Sequence, residues 1–321
     1  MTALLLTEAD VRDVLDMESC IAAMEDVLEA LARGELTFPL RSVFVPPAEA
    51  LMGLMPAYRG GSDPVFALKE IVVAPANSDR GLDPHQGAVL LHDGVTGVLR
   101  GILNASAITE IRTAAVSAVA TKLLARPGAR HVAILGAGVQ ARSHAEAMRT
   151  VLPGLELRVW SRTPAHAEAL ALEAHGVPCD TIEEALDGAD VVCTCTASRE
   201  PIVRREWLAP GVHVNAVGSS VASARELDAE VVADASLFVD RRESTVNESG
   251  DYLRAVEERG IGPEHILAEL GEVLCGTHPG RRHDAELTLF KSLGIAVEDL
   301  AAAVLCVERA RERGIGTEVE F

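Results

Sequence analysis

The sequence predicts an α/β fold, with a Rossmann-type parallel sheet and a separate α+β domain that precedes it in the chain. Three observations carry this prediction. An apolar run at 132–135 is followed by a glycine turn and a helix-forming segment, and strand-like and helical segments alternate after it. Residues 41–105 instead show short strands separated by Pro, Gly and Asp. At 321 residues a single core would be near its size limit, so we expect two domains.

Composition and charge exclude several classes of partner. The net charge of −19 argues against nucleic acid or an anionic membrane, because both would be repelled. No stretch is long and apolar enough to span a membrane, and the N-terminus lacks a signal-peptide pattern, so we expect a cytoplasmic protein. The six cysteines are scattered without metal-ligand spacing, which predicts reduced core thiols and no metal site.

The first part of the chain begins with two predicted helices. Thr7 is typical of an N-cap with Asp10 three residues later, and a second apolar stripe ends at Gly34. Apolar and alternating runs then predict five strands, at 41–46, 51–58, 65–73, 86–92 and 98–103. Residues 93–97 (Asp-Gly-Val-Thr-Gly) are typical of a hairpin turn. The Ala-rich segment 108–125 predicts one long helix that leads into the nucleotide domain.

After the glycine turn, strands and helices are expected to alternate, which implies a parallel sheet. The candidate strands are 132–135, 157–160, 191–195, 212–217 and 237–239, and the clearest helices between them are 164–175 and 182–186. Segment 247–276 predicts irregular structure with helical pieces. Segment 294–313 predicts a final helix, which we expect to return to the first domain.

The glycine turn has the residue order that a dinucleotide pyrophosphate needs. Gly136 permits the tight turn, Gly138 lets the backbone approach the phosphates, and Ala141 lets the helix pack closely on the strand. The helix N-terminus then presents amide groups and the positive end of its dipole to the anion. In this context the motif predicts binding of NAD(P) or FAD.

Three cations outside the nucleotide domain interrupt apolar or small-residue patterns. Lys69 lies in a predicted strand, Arg112 in the long helix, and Arg41 at the start of the first strand of its region. Burying a cation is costly unless it is paired, so each is either half of a structural ion pair or a ligand for an anion. The pattern leaves both interpretations open. Arg112 is the better candidate for an anion, because a guanidinium binds a carboxylate through two hydrogen bonds.

Short motifs, in order along nearly the whole chain, resemble the ornithine cyclodeaminase/mu-crystallin family. They are 55–58 (Met-Pro-Ala-Tyr), 84–86 (Pro-His-Gln), 112–115 (Arg-Thr-Ala-Ala), 136–141 (Gly-Ala-Gly-Val-Gln-Ala), 215–218 (Asn-Ala-Val-Gly), 248–251 (Glu-Ser-Gly-Asp) and 290–294 (Phe-Lys-Ser-Leu-Gly). Within the family, segments 133–140, 160–163 and 225–228 resemble the mu-crystallin branch most.

The resemblance implies a substrate and dimerisation domain formed by residues 1–118 and 296–321, an NAD(P)-binding Rossmann domain at 119–295, and a homodimer. It also implies hydride transfer at the α-carbon of small amino or imino acids, with Arg41, Lys69 and Arg112 as the carboxylate-binding cations. The positions that match cofactor contacts are Pro84, His85, Gln86, Thr113, Gly136, Gly138, Val139, Gln140, Ser161, Arg162, Thr163, Thr196 and Val217.

One departure distinguishes the branches of the family. The cyclodeaminases of the family that this chain resembles carry an aspartate two residues after the glycine of the Asn-Ala-Val-Gly turn. That aspartate transfers protons during ring closure and ammonia loss. Ser220 occupies that position here. A serine is neither an acid nor a base near neutral pH, so deamination is disfavoured. Serine at this position resembles the mu-crystallin branch, which implies reduction of ketimines.

The end of the second strand of the nucleotide domain predicts the cofactor. NAD-preferring sites place Asp or Glu there to bind the ribose 2′-hydroxyl. This chain instead has Ser161, Arg162 and Thr163 after Trp160. A guanidinium and two hydroxyls suit a 2′-phosphate, so we predict NADPH, with NADH still possible. The alternative is that Arg162 is simply a solvated loop residue.

The general acid stays open. Lys69 is a candidate, because burial and neighbouring cations would lower its pKa, but it can equally be only a carboxylate anchor. Glu248 and Asp251 either contact the residues that line the site or cap a helix, and capping is the favoured role for Asp251. His85 is expected to be a structural residue that touches the cofactor through its backbone.

The leading hypothesis is NADPH-dependent reduction of the C=N bond of ketimines or cyclic imino acids, of the piperideine-2-carboxylate or pyrroline-2-carboxylate type, to L-amino acids. A close alternative is an amino-acid dehydrogenase, such as alanine dehydrogenase, or a reductase of acyclic imines. A protein that holds NADPH and a small carboxylated ligand without turnover is an alternative of another class. An ornithine cyclodeaminase is the last alternative, because of Ser220.

Overall fold

The computed structural model describes residues 2–47, 50–83 and 85–320. Its strands are β1 Thr2–Leu6, β2 Leu36–Thr37, β3 Ser42–Phe44, β4 Leu51–Arg59, β5 Val65–Val73, β6 His85–Asp93, β7 Leu99–Asn104, β8 His131–Leu135, β9 Glu156–Trp160, β10 Val177–Pro178, β11 Val191–Thr194, β12 His213–Ala216, β13 Ser236–Val239, β14 Ile266–Glu269, β15 Thr288–Lys291 and β16 Thr317–Glu320. Its helices are α1 Glu8–Val14, α2 Met17–Ala32, α3 Ala105–Leu124, α4 Val139–Val151, α5 Pro164–Glu173, α6 Ile182–Leu186, α7 Ala229–Asp234, α8 Arg242–Glu248, α9 Gly250–Arg259, α10 Leu270–Leu274 and α11 Ala296–Arg313.

The chain divides into two compact units. The first comprises Met1–Arg112 and Ile295–Phe321, and the second comprises Thr113–Gly294. The first unit is built on a sheet with strand order β16-β1-β7-β6-β5-β4-β2, in which β3 also pairs with β4. Helix α11 packs on β4, β5 and β6, and α2 packs on α11. The packing is close, because a Cβ at Gly101 of β7 would lie 2.9 Å from Cγ2 of Val307 in α11. Helices therefore cover one face of this sheet.

Caps and turns of the first unit form where the local sequence favours them. The Asp10 amide donates to Thr7 Oγ1 and the Thr7 amide donates to Asp10 Oδ2, which closes a capping box at the start of α1. After β6, Asp93 Oδ1 accepts hydrogen bonds from the amides of Val95 and Thr96, and Gly97 adopts a φ of 72°. The predicted first N-cap and the predicted hairpin turn are confirmed.

The other face of the first sheet has an apolar central row and is incompletely covered; we call it the open face. The row of paired side chains runs across five neighbouring strands: Pro56, Leu68, Leu90, Ile102 and Leu5. Leu5 is 38% exposed, and in other rows of this face Phe66 is 48% and Phe44 65% exposed. The rows beside the central one also contain polar side chains, such as Glu70 and His92.

The second unit is a parallel sheet with strand order β10-β9-β8-β11-β12-β15-β13-β14. The strands β11, β12 and β15 are buried along their whole length, as is typical of parallel strands with both faces covered. From β8 the chain proceeds to β9 and β10 on one side and then to β11 and β12 on the other. Ligands of such sheets bind at the carboxyl ends of the strands beside this switch point. The predicted α/β class with a parallel sheet is confirmed.

A buried series of hydrogen bonds ties the C-terminal half of α3 to the sheet of the second unit. His144 of α4 bonds Ser117 Oγ through Nε2 at 2.9 Å, and Asn215 of β12 donates to Thr121 Oγ1 at 2.9 Å. His213 continues the series to Asn215 Oδ1 at 3.2 Å. Burial lowers the pKa of His144 to about 4 and that of His213 to about 3, so both imidazoles are neutral at pH 7. Polar partners thus orient the helix in an otherwise apolar interior.

The structure corrects the predicted elements at several points. The long helix begins at Ala105 and ends at Leu124, and β3 covers only Ser42–Phe44, so Arg41 lies just outside it. Strands β1, β14, β15 and β16 were not expected. A strand of four or five residues is too short to show a period, and β14 lies inside the segment that predicted irregular structure. In β15 the charge of Lys291 interrupts the apolar run.

Candidate functional site

The glycine turn has the geometry that its sequence predicts. Strand β8 ends at Leu135 and α4 begins at Val139. Gly136 has a φ of 121°, and a Cβ there would lie 2.4 Å from the carbonyl oxygen of Cys195. Only glycine is compatible with that conformation and that approach. Ala141 is fully buried, as close packing of the helix on the strand requires.

The start of α4 fits a dinucleotide pyrophosphate. Gly138 is its N-cap and supplies no side-chain cap, and no heavy atom lies within 4 Å of the position that a Gly138 Cβ would take. Open space therefore adjoins the first-turn amides, whose orientation favours an anion. The next two residues, Val139 and Gln140, are exposed and half-buried respectively.

The end of the second strand lies beside the glycine turn. The Gly136 amide donates to the Trp160 carbonyl at 2.8 Å, so residues 161–163 directly follow a position bonded to the turn. Arg162 and Thr163 are exposed and Ser161 is half-buried. No acidic side chain occurs among these residues. The surroundings of Arg162 are consistent with a role in binding the adenosine ribose, which stays a prediction.

Two more loops lie at the carboxyl edge of this sheet, after β11 and β12. The Thr196 amide and hydroxyl both donate to Glu226 Oε1, each at 2.7 Å. Val217 is buried directly after β12, and half-buried Ser220 follows in an irregular segment. Because β11 and β12 lie next to the switch point, Thr196 and Val217 are at the edge where a cofactor is expected.

In the first unit, Lys69 and Arg112 form one buried cluster with two carboxylates of α11. Lys69 Nζ lies 2.8 Å from Asp299 Oδ2 and 3.3 Å from Thr109 Oγ1. Arg112 donates through Nε to Asp299 Oδ1 at 3.0 Å and through Nη1 to Glu298 Oε2 at 2.6 Å. The four charged side chains are at most 4% exposed. Both cations are thus ion-paired, and the four formal charges cancel.

The electrostatics of this cluster distinguish Lys69 from its neighbours. Burial lowers the pKa of Lys69 to about 8, with Asp299 opposing and Arg112 adding to that effect. Burial alone would raise the pKa of Asp299, but Arg112 and Lys69 hold it below its usual value. Near neutral pH, Asp299 therefore stays ionised, whereas Lys69 is close to its titration range. The pKa of Lys69 is thus closer to neutral pH than that of a solvated lysine, and its role as an acid stays a prediction.

Arg41 lies one residue before β3, the strand that pairs with β4. Ser42 of β3 pairs with Leu54, and the next residue of β4, Met55, pairs with Lys69. Arg41 is half-buried and precedes the first paired residue of β3. The third predicted cation is therefore outside the strand ladder that contains Lys69, and its place in a substrate site stays a prediction.

The remaining predicted cofactor residues lie at two places. His85 and Gln86 are exposed at the start of β6, where the His85 amide donates to Asp83 Oδ1 at 2.8 Å and Gln86 Nε2 donates to the Asp83 carbonyl at 2.9 Å. Thr113 is buried in α3. Pro84 lies outside the described residues. Contact of these residues with a cofactor stays a prediction.

Sequence reasoning missed the buried acids that contact the predicted site residues: Glu226 beside Thr196, and Glu298 and Asp299 beside Arg112. The last two are adjacent in the first turn of a helix with an apolar stripe, and a buried cation elsewhere requires such a partner. That requirement is the signal that could have found them. The expected cap at Asp251 was wrong, because Ser249 is the N-cap of α9 and Asp251 Oδ1 instead accepts the Glu226 amide.

In the part of the chain that the structure describes, no helix is long and apolar enough to cross a membrane. Within the same residues, no group of three or more His, Cys, Asp and Glu side chains is arranged to hold a metal ion. The six cysteines are free thiols, and four of them are buried as predicted. The prediction of a core position was wrong for Cys275, which is exposed, and Cys195 is half-buried.

A family model described as the ornithine cyclodeaminase/mu-crystallin family matches residues 1–314. The chain belongs to this family. The resemblance inferred from the short motifs is therefore confirmed. This family member is 42% identical over 308 residues to the ketimine reductase mu-crystallin of Mus musculus. The matched region covers 94% of this chain and 95% of the mouse protein.

Two solved structures show how well the fold agrees. The Δ1-pyrroline-2-carboxylate reductase of Thermococcus litoralis, in complex with NADH and L-proline, is 35% identical, with a TM-score of 0.94 over 98% of this chain and 100% of the other. An archaeal alanine dehydrogenase dimer with bound NAD is 30% identical, with a TM-score of 0.94 over the whole of both chains. The fold of this family member is thus the fold of nicotinamide-dependent enzymes.

Proposed function

We propose that this family member reduces the C=N bond of ketimines or cyclic imino acids to L-amino acids with NADPH, on substrates of the piperideine-2-carboxylate or pyrroline-2-carboxylate type. The broader class, an NAD(P)-dependent oxidoreductase acting on carbon–nitrogen bonds, is supported by relatives named as ketimine and Δ1-pyrroline-2-carboxylate reductases. The observation that carries the choice of chemistry is Ser220. A serine cannot serve as the acid or base of a deamination, whereas imine reduction does not need one at that position.

The first unit contains the groups that a carboxylated imine requires. Arg112 would bind the carboxylate, and its guanidinium is held by Asp299 and Glu298 through two hydrogen bonds. Arg41, directly before β3, would add a second positive charge for the carboxylate. Lys69 would give a proton to the substrate nitrogen. A bound nicotinamide cofactor supplies the hydride, and a fixed orientation of the substrate contributes to lowering the barrier.

A direct assay tests the proposed function. We expect the purified protein to oxidise NADPH when piperideine-2-carboxylate or pyrroline-2-carboxylate is added, and to form the corresponding L-amino acid. The measurement is the loss of absorbance of the reduced cofactor between mildly acidic and mildly basic pH, with product chirality determined afterwards. Oxidation of neither NADPH nor NADH with either imine would refute the proposal. Release of ammonia and proline from ornithine would instead support a cyclodeaminase.

An amino-acid dehydrogenase is a second candidate, and one comparison favours it. The alanine dehydrogenase of Archaeoglobus fulgidus is 31% identical over the whole of this chain. A dehydrogenase of that type would consume reduced cofactor with pyruvate only when ammonia is present. A reductase of preformed cyclic imines would show no dependence on ammonia, so one titration of ammonia separates the two activities.

We also propose that the protein is a homodimer formed through the open face. The open face is a row of partly exposed apolar side chains on one side of the first sheet, flanked by Phe44 and Phe66. A solved relative is described as a dimer. Burying such a surface against a second copy would remove apolar area from water at about 25 cal/mol per Å².

A charge placed at the centre of the open face is expected to separate the subunits. In a two-fold interface, Leu90→Glu would bring two carboxylates into an apolar contact without compensation. Light scattering should give twice the chain mass of 33.9 kDa for the native protein and the single mass for the variant. Leu172→Glu is the matched control, because Leu172 is 82% exposed on α5 of the second unit. A dimer that persists in Leu90→Glu would contradict the proposed interface.

A further inference from the structure

Glu226 is a fully buried carboxylate that joins two loops of the second unit. Its Oε2 accepts hydrogen bonds from Thr194 Oγ1 at 2.6 Å and from the Gly218 amide at 2.8 Å. Its Oε1 accepts from the amide and the hydroxyl of Thr196, each at 2.7 Å. The four donors come from the end of β11 and the loops after β11 and β12. One side chain therefore determines how these segments lie together.

The two loops occupy the edge of the sheet that binds ligands in folds of this type. Strands β11 and β12 follow β8 in the sheet, so their carboxyl ends lie beside the switch point. The glycine turn after β8 closely approaches the first of these loops, at the carbonyl of Cys195. Thr196 and Val217 are among the positions expected to contact the cofactor. Glu226 itself is buried, so any effect on a ligand must act through these loops.

The space around Glu226 leaves little room for an alternative arrangement. A Cβ at Gly218 would lie 2.0 Å from the Thr196 carbonyl oxygen and 2.6 Å from Glu226 Oε1. Two of the four donors are backbone amides, which cannot become acceptors. A glutamine at position 226 has only one oxygen, so its NH₂ group would face at least one of these amides. An apolar residue would leave both buried amides without a partner.

Two further charged side chains, Asp251 and Lys291, fix the backbone at Glu226 and at the loops that it contacts. The amides of Glu226 and Leu227 donate to Asp251 Oδ1 at 2.8 and 2.9 Å. Asp251 Oδ2 lies 2.9 Å from Lys291 Nζ, which also donates to the carbonyl of Ala216 at the end of β12 at 3.3 Å. Lys291 is the compensating cation of this acidic pair. Asp251 and Lys291, from the motifs at 248–251 and 290–294, thus support the same two loops. Support of the site was one of the two roles that the sequence left open for Asp251, whereas the role of Lys291 was not expected.

We propose that Glu226 is a positioning residue for the nicotinamide half of the cofactor. It holds the loops after β11 and β12 in the geometry that receives this half, while the glycine turn and residues 161–163 receive the adenosine half. This assignment rests on the proposed use of a nicotinamide cofactor. It predicts that loss of the Glu226 carboxylate weakens binding of the complete dinucleotide while binding of an adenosine fragment is retained.

The test compares Glu226→Gln with Glu286→Gln in the full-length protein. Glu286 is also a buried acid of the second unit, and it accepts hydrogen bonds from the Arg282 amide and from Ser236 Oγ, each at 2.5 Å. It precedes β15 and so lies at the amino ends of the strands, whereas Glu226 contacts the loops at their carboxyl ends. Calorimetry would give Kd for NADPH, NADH, 2′,5′-ADP and ADP. In Glu226→Gln, Kd for the preferred dinucleotide should rise roughly 10- to 100-fold, as expected for buried donors left unpaired, and Kd of the fragments should change less than about threefold. Glu286→Gln should leave every Kd unchanged.

The outcomes separate this assignment from the proposed function. Equal weakening of dinucleotide and fragment in Glu226→Gln, or no weakening at all, would overturn the positioning role. Should Glu226→Gln fail to fold, Thr194→Val removes a single hydrogen bond to the same carboxylate and should shift Kd in the same direction by about two- to tenfold. Native protein that binds dinucleotide but reduces no imine would refute the proposed substrate only. Native protein that binds no dinucleotide would refute both.

Discussion

Replacing Lys69 with glutamine is expected to lower kcat for imine reduction about 10²- to 10⁴-fold, the usual contribution of a positioned acid. Glutamine retains a hydrogen-bonding group toward Asp299 and Thr109 but cannot protonate the substrate nitrogen. The Kd for the cofactor should not change, because the glycine turn belongs to the second unit. Steady-state kinetics and cofactor titration of the same preparation give both quantities.

The pH dependence of kcat, compared with that of KM, distinguishes an acid from an anchor. The pKa of Lys69 is lowered from 10.5 to about 8, so the protonated form is lost as pH rises through 8. For an acid, kcat of the native enzyme should therefore be level below pH 7 and fall above pH 8, and Lys69→Gln should lack this limb. For a carboxylate anchor, loss of the charge by high pH or by Lys69→Gln would raise KM for the imine while kcat stayed near its native value. Lys122→Gln, at an exposed position of α3, is the matched control.

Replacing Arg162 with serine is expected to change the cofactor preference about 100-fold toward NADH, expressed as the ratio of kcat/KM for NADPH to that for NADH. The guanidinium is exposed beside the end of β9, where a 2′-phosphate would lie, and hydrogen bonds to a charged group are worth about 1.5–3 kcal/mol each. Kinetics with both cofactors at one saturating imine concentration measure the ratio. Activity with NADH should remain close to native.

Arg259→Ser is the control, because it also removes a positive charge from the surface of the second unit. Arg259 lies at the end of α9 and pairs with Glu230 at 3.0 Å. This variant should leave the cofactor ratio unchanged. Native protein that already prefers NADH, or an Arg162→Ser variant with an unaltered ratio, would contradict the NADPH assignment.

Local sequence was sufficient for the glycine turn. Gly136, Gly138 and Ala141 lie within six positions of one another, and their order predicts the strand, the turn and the helix. The close approach of Gly136 to the Cys195 carbonyl was visible only in the tertiary structure. Local sequence was also sufficient for the N-cap at Thr7 and the hairpin turn after Asp93. Short strands without a visible period, such as β14 and β15, could not be predicted this way, because their existence depends on the neighbours with which they pair.

The sequence by itself determined the family and the parallel nucleotide-binding sheet, because short contiguous motifs indicate both. It also identified Lys69 and Arg112, because each interrupts an apolar or small-residue pattern. Only the tertiary structure decided which carboxylates these two cations pair with. Arg112 meets Asp299 across 187 positions of the chain, and Glu226 meets Thr194 across 32. A buried charge is stable only where a partner of opposite charge or a set of donors is brought to it, and the fold alone brings such distant residues together.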